Sequence, residues 1–212
     1  MKIKGRLYVI NSPLTPPGKL PNLVERAFSA GVDIFQLRLK GLPRDEILRI
    51  GEKIRSLATK YDVTFIVNDD PLIARELDAD GVHVGKEDYQ VREAREILGP
   101  DRIVGASSYD NLELALKLQE EGADYLGFSS PFESPTKPEK PRTSPELLRK
   151  ACKTLNIPIF AIGGINPENV EDVLKLGVHG VAVISSVFNS GDPYENVKRL
   201  REKIYRFFGE NP

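Results

Sequence analysis

Short apolar, β-branched runs recur along the chain, and stretches of helical periodicity separate them. LYVI (7–10), IFQLR (34–38), TFIV (64–67), GVHV (81–84), IVGA (103–106), YLGFS (125–129), IFAI (159–162) and GVAVI (180–184) predict eight strands. They are mostly apolar rather than alternating, as expected of parallel strands covered by helices. Helical patterns follow near 20–30, 43–60, 71–77, 90–98, 111–121, 144–155, 167–176 and 193–208. In 43–60, Ile47, Leu48, Ile50, Ile54, Leu57 and Ala58 fall on one face with charges opposite. Gly31-Val32-Asp33, Ala79-Asp80-Gly81, Gly122-Ala123-Asp124 and Gly177-Val178-His179-Gly180 precede the second, fourth, sixth and eighth strands, which reads as a weak repeat of a two-strand unit. Eight βα units without a composition break predict one α/β domain over 1–212, a single (β/α)8 TIM barrel. A doubly wound sheet is the runner-up. Its first βα turn should be glycine-rich, and NSPLTPPGK (11–19) is not.

Composition narrows the class of partner. The 212 residues carry a net charge of −1, which gives no electrostatic case for nucleic acid or an anionic membrane. No apolar stretch approaches membrane-spanning length and the N-terminus is too polar for a signal peptide, so the expectation is a soluble cytoplasmic protein. The single cysteine, Cys152, lies among Leu147, Leu148, Ala151 and Leu155 at helical spacing, and core packing is the expectation for it. Oligomeric state is left open.

In such barrels the chemistry sits at the C-terminal ends of the strands. Strand two supplies Gln36, Arg38 and, just beyond, Lys40; strand three supplies Asn68, Asp69 and Asp70. Strand four runs into Gly85-Lys86-Glu87-Asp88, strand five into Ser107-Ser108, and strand six into a Pro-rich loop with Ser134, Thr136 and Lys137. Strand seven ends at Gly163-Gly164 and strand eight at Ile184-Ser185-Ser186. Arg38, Lys40 and Lys137 suit phosphate oxygens. Asp69 and Asp88 suit a hard divalent ion such as Mg²⁺. Gly163-Gly164 and Ile184-Ser185 fall where barrels bind phosphate through backbone N–H groups. The set therefore predicts small phosphorylated substrates at two sites, one metal-assisted and one built from backbone. Taken singly, each piece has an ordinary reading: Asp70 before Pro71 is a helix cap, Asp88 could cap the next helix, and His83 within its strand is more often packed than catalytic.

QLRLK (36–40), FIVNDD (65–70), DGVHVGKED (80–88), GASS (105–108), SPTK (134–137), FAIGGI (160–165) and GVAVISS (180–186) together resemble the thiamine-phosphate synthase family, in order and over nearly the whole chain. The resemblance implies a (β/α)8 transferase that joins a hydroxymethylpyrimidine diphosphate to a thiazole phosphate, with Mg²⁺ as cofactor and thiamine monophosphate and pyrophosphate as products. It implies that Gln36, Arg38, Lys40, Asn68, Ser107 and Lys137 hold the pyrimidine diphosphate, with Arg38, Lys40, Ser107 and Lys137 acting in catalysis. Asp69 and Asp88 would hold the metal. Ser134, Thr136, Gly164, Ile184 and Ser185 would hold the thiazole phosphate. Three positions depart from the family pattern: Tyr109 stands where a histidine is usual, Ser129-Ser130 where Gly-Pro is usual, and Ser134 where threonine is usual. A sister group, the thiazole tautomerases, shares the barrel and uses that histidine as acid and base. A non-catalytic regulator that binds the same phosphates is the third reading. Asp69, Asp88 and Lys137 favour the synthase over both.

Overall fold

The computed structural model describes residues 3–133, 142–189 and 191–211. Eight parallel strands close on themselves in sequence order: β1 (Leu7–Ile10), β2 (Ile34–Leu37), β3 (Thr64–Asn68), β4 (Gly81–Val84), β5 (Ile103–Tyr109), β6 (Tyr125–Ser129), β7 (Ile159–Ile162) and β8 (Gly180–Val183). The helices α1 (Leu20–Ser29), α2 (Arg44–Tyr61), α3 (Pro71–Glu76), α4 (Val91–Leu98), α5 (Leu112–Glu120), α6 (Pro145–Thr154), α7 (Val170–Leu174), α8 (Ser185–Phe188) and α9 (Pro193–Phe208) surround them. This is the barrel the periodicity predicts, and it excludes the doubly wound sheet. No helix among the described residues is long and apolar enough to cross a membrane.

Most element ends fall within one residue of expectation; β5, α7 and α8 depart from it further. β5 runs on to Tyr109 instead of ending at Ala106, because Ser107 and Ser108 find partners inside the sheet; the Ser108 hydroxyl donates to Gly127 O at 3.2 Å. α7 covers only 170–174, its first turn being replaced by an Asn166 turn whose side chain accepts the Glu168 and Asn169 N–H groups. α8 is one turn wedged between β8 and α9, too short to carry a periodic signal.

Alternation along each strand sorts the core into two. Leu7, Val9, Phe35, Phe65, Val67, Val82, Val104, Leu126 and Phe128 face the helices. Tyr8, Ile10, Ile34, Ile66, Ile103, Tyr125, Phe160 and Ala182 fill the barrel interior. The interior is a packed core, and Gly105 makes room for it: a Cβ there would fall 2.1 Å from the Tyr125 ring. Cys152 is half-buried on α6, and burial pushes its thiol up to about 11, so it is an inert packing residue.

The two-strand repeat is a structural device at the N-terminal end of the barrel. Asp33 N–H donates to Leu7 O, and Asp33 Oδ2 accepts the Leu7 N–H at 2.8 Å. Asp80 does the same with Phe65 at 2.7 Å, and Asp124 with Val104 at 2.8 Å. Each carboxylate thus accepts a strand-entry N–H, and each is neutralised by an arginine: Arg201, Arg55 and Arg95 respectively. In the fourth unit His179 N–H donates to Ile159 O, while its Nε2 lies 3.1 Å from Gly5 O.

Candidate active site

At the opposite, C-terminal end, the strand-end residues converge. Arg38, Lys40, Asn68, Asp69, His83, Lys86, Asp88, Ser107 and Tyr109 line one cavity of about 310 Å³. β2 ends at Leu37, so Arg38 is not held by the sheet ladder. Asn11, buried just after β1, holds it instead: its Oδ1 accepts the Arg38 N–H at 2.6 Å and its Nδ2 donates to Arg38 O at 2.9 Å. The guanidinium is thereby carried to the mouth on a fixed backbone.

The consecutive carboxylates after β3 part company. Asp70 caps α3, accepting from Leu72 and Ile73 N–H at 2.8 and 3.1 Å, and Pro71 opens the helix. Asp69 turns the other way. Its φ of 69° lies in the left-handed region, which an Asp tolerates better than most residues. Its N–H donates to His83 O at 2.8 Å, and Lys40 Nζ sits 2.6 Å from its carboxylate. Asp88 reaches the same place from the loop after β4, with its Oδ2 accepting the Gly85 N–H at 2.9 Å. Its role as a cap is not realised; Gln90 and Glu93 form the capping box of α4. Burial and the adjoining Asp69 carboxylate push the Asp88 carboxyl above its usual range, against the opposing pull of Gly85 N–H and Lys40. Tyr109 closes this side at a bulge between β5 and β6, with φ at 56° and its hydroxyl accepting the Lys86 N–H at 3.3 Å. Two non-glycine residues in left-handed backbone at one mouth mark where local strain, about 1–3 kcal/mol each, is held by the surrounding fold.

A second set meets between β7 and β8. Gly163, Gly164, Ile184 and Ser185 line a narrow gap of about 30 Å³, the room of one water. Gly164 has φ at 61°, and the Glu133 carbonyl presses on it, 2.0 Å from where a Cβ would stand. A side chain there would clash on both counts, so the position requires glycine.

The family model described as thiamine monophosphate synthase matches residues 7–187. The chain belongs to the thiamine monophosphate synthase family. It is 44% identical over 211 residues to a thiamine-phosphate synthase of Caldanaerobacter subterraneus, covering 99% of this chain and 98% of that one. It is 40% identical over 209 residues to the thiamine-phosphate synthase of Pyrococcus furiosus, covering 99% of each. A solved thiamine phosphate pyrophosphorylase from Pyrococcus furiosus superposes with a TM-score of 0.88 at 40% identity, over 98% of this chain and 99% of that one. A 3-hexulose-6-phosphate synthase, at 18% identity and a TM-score of 0.70, shares the fold.

For a member of this family, most residues expected at the mouth are together. Gln36 lies deeper, fully inside the barrel, where its Nε2 donates to Tyr8 Oη. Ser134, Thr136 and Lys137, with most of the Pro-rich loop, lie outside the described residues. Asn11, His83, Lys86, Tyr8 and Tyr125 are additions. The two tyrosines had a legible signal: a hydroxyl inside an apolar run must find a partner when buried. Asn11 had a weaker one, a polar residue next to a buried strand end. His83 faces the barrel interior, its Nε2 2.9 Å from Ser107 Oγ.

A larger depression, about 1050 Å³, opens at the other end of the barrel, near Asp33, Asp80, Asp101, Arg102 and Arg201. Size does not make it the reaction site. Asp33 and Asp80 are saturated there by backbone N–H groups and arginines, as described above.

Proposed function

We propose that this chain is a thiamine-phosphate synthase. It would join 4-amino-2-methyl-5-(diphosphooxymethyl)pyrimidine to a thiazole phosphate, giving thiamine monophosphate and pyrophosphate. One observation carries the reading: Arg38, Lys40, Asn68, Ser107 and the Asp69–Asp88 pair converge on a single mouth in a barrel of this family. The pyrimidine C–O bond breaks and its electron pair leaves with the diphosphate. The carbon, stabilised by the ring's own amino group, is then taken by the thiazole nitrogen. Arg38 and Lys40 neutralise charge that builds on the departing oxygens, while Asn68 and the Ser107 hydroxyl supply neutral donors. By family resemblance Lys137 adds a third cation, and Ser134 and Thr136 join Gly164, Ile184 and Ser185 around the thiazole phosphate. No protein nucleophile is needed.

The carboxylate pair fits Mg²⁺. Among the described residues no group of three or more His, Cys, Asp or Glu side chains could hold a metal. Two carboxylates with the remaining positions left to water and substrate phosphate is the usual protein share for this ion. Burial, and then the adjoining Asp69 carboxylate, push the Asp88 carboxyl up, and a cation between the two carboxylates would offset both. When bound, Mg²⁺ supplies charge neutralisation on the leaving diphosphate. Asp69 and Asp88 would hold it, with Lys40 and Gly85 N–H orienting them.

The test is incubation of purified protein with both phosphorylated precursors, with and without Mg²⁺. Thiamine monophosphate and pyrophosphate in equal amounts, dependent on Mg²⁺, are expected. No product under any metal condition overturns the assignment, and product formation unaffected by EDTA overturns the metal role.

A further inference from the structure

One run of hydrogen bonds crosses the barrel interior. Gln36 Nε2 lies 2.7 Å from Tyr8 Oη, and the Tyr8 and Tyr125 hydroxyls are 2.7 Å apart. Tyr125 Oη is 3.0 Å from His83 Nδ1, and His83 Nε2 is 2.9 Å from Ser107 Oγ. Gln36, Tyr8 and Tyr125 are each at most 2% exposed, so bulk water does not compete with these bonds. The run begins under β2 and ends at the active-site mouth, where Ser107 shares a cavity with Arg38, Lys40 and Asn68.

Its direction follows from proton counts. A phenol has one proton, a neutral imidazole has one N–H, and an amide nitrogen only donates. Gln36 donates to Tyr8, so the Tyr8 proton goes to Tyr125, and the Tyr125 proton goes to His83 Nδ1. The imidazole then carries its own proton on Nε2 and gives it to Ser107 Oγ. The reverse sense would aim the Tyr8 proton at the Gln36 nitrogen, donor against donor. Burial holds both phenols above the ordinary tyrosine range, so neither becomes an anion that could reverse the run.

We propose that this run fixes His83 as the Nε2–H tautomer and thereby leaves the Ser107 hydroxyl proton committed to the mouth, as a donor to an anionic phosphate oxygen. Tyr8, Tyr125 and His83 are positioning residues; Ser107 makes the contact. The ligand rests on the diphosphate reading above, whereas the tautomer does not. Each link reinforces the next, since accepting a hydrogen bond makes a hydroxyl a better donor.

The chain has two histidines, so the tautomer is directly readable. Protein labelled with ¹⁵N-histidine, with His179→Gln to assign the other ring, is expected to show His83 protonated at Nε2 alone. In Gln36→Glu the carboxylate accepts the Tyr8 proton, and His83 is expected to move to the Nδ1–H form. Binding of inorganic pyrophosphate with Mg²⁺, measured by calorimetry, gives the second readout. Tyr125→Phe and Ser107→Ala should each weaken it about tenfold, the scale of one hydrogen bond to a charged group. The double variant should be no weaker than Ser107→Ala alone, because both act through one proton. His83 protonated at Nδ1 in the unaltered protein, or losses that add in the double variant, overturns the proposal. Pyrophosphate that fails to bind the unaltered protein overturns the ligand and the diphosphate reading together, and the tautomer measurement then decides the run by itself.

Discussion

The two ends of this barrel use the same side chain to opposite effect. At the N-terminal end Asp33, Asp80 and Asp124 each accept a strand-entry N–H and face an arginine. Asp33 also takes the Arg6 N–H and the Tyr205 hydroxyl, at 2.9 and 2.8 Å. At the C-terminal end Asp69 and Asp88 face each other, with Lys40 and Gly85 N–H as partial compensation and one of them on a left-handed backbone. Carboxylates at one end hold the fold together. At the other the half-buried Asp88, crowded against Asp69, costs stability, and the fold tolerates that cost where a charged ligand can use it.

Activity should separate the two ends most sharply. Asp69→Ala is expected to lower turnover by about a hundredfold or more, the scale of losing preorganised charge at a leaving group, with a melting temperature within about 2 °C of the parent. Turnover near normal in this variant would erase the contrast from the functional side. The next effect in size is on stability alone. Asp33→Ala removes an acceptor shared by two backbone N–H groups, Arg201 and Tyr205. With the Asp33 side chain only 14% exposed, it should cost about 3 kcal/mol and lower Tm by about 6–12 °C. The fraction that remains folded should turn over normally. An unchanged Tm would mean that the ring at this end is decoration.

The smallest effect tests the sign. Asp88 has its folded-state pKa raised, so the fold favours its protonated form. The ionised carboxylate penalises the folded state above that pKa, and the penalty is absent below the unfolded value near 4. Asp88→Asn in metal-free protein should therefore raise Tm at pH 7, by no more than about 2 °C because the site is open to solvent. The gain should fade as pH falls through the Asp88 pKa towards 4. A Tm lowered at pH 7, or a gain that grows in acid, would place Asp88 with the stabilising carboxylates and dissolve the comparison.

Much of this was legible in the chain. Parallel strands covered by helices must be apolar on both faces, so eight short runs between helical periods specify the barrel. Polar residues at strand ends have to lie at one rim, because every parallel strand ends at the same end. Hence Arg38, Lys40, Asn68, Asp69, Asp88 and Ser107 could be assembled into one mouth before any coordinates. The repeated Gly-x-Asp and its relatives were visible as a pattern, though not as carboxylates capping strand entries. What tertiary structure alone decided is which way each polar group turns. Asp70 before Pro71 was legible as a helix cap, but nothing local says that its neighbour Asp69 swings into left-handed backbone with its carboxylate at Lys40. Asn11 holds Arg38 across 27 residues, and Gln36, Tyr8, Tyr125, His83 and Ser107 join from five strands. Periodicity records whether a position is buried. The partner of a buried donor or acceptor depends on register between distant strands, and closing the barrel is what sets that register.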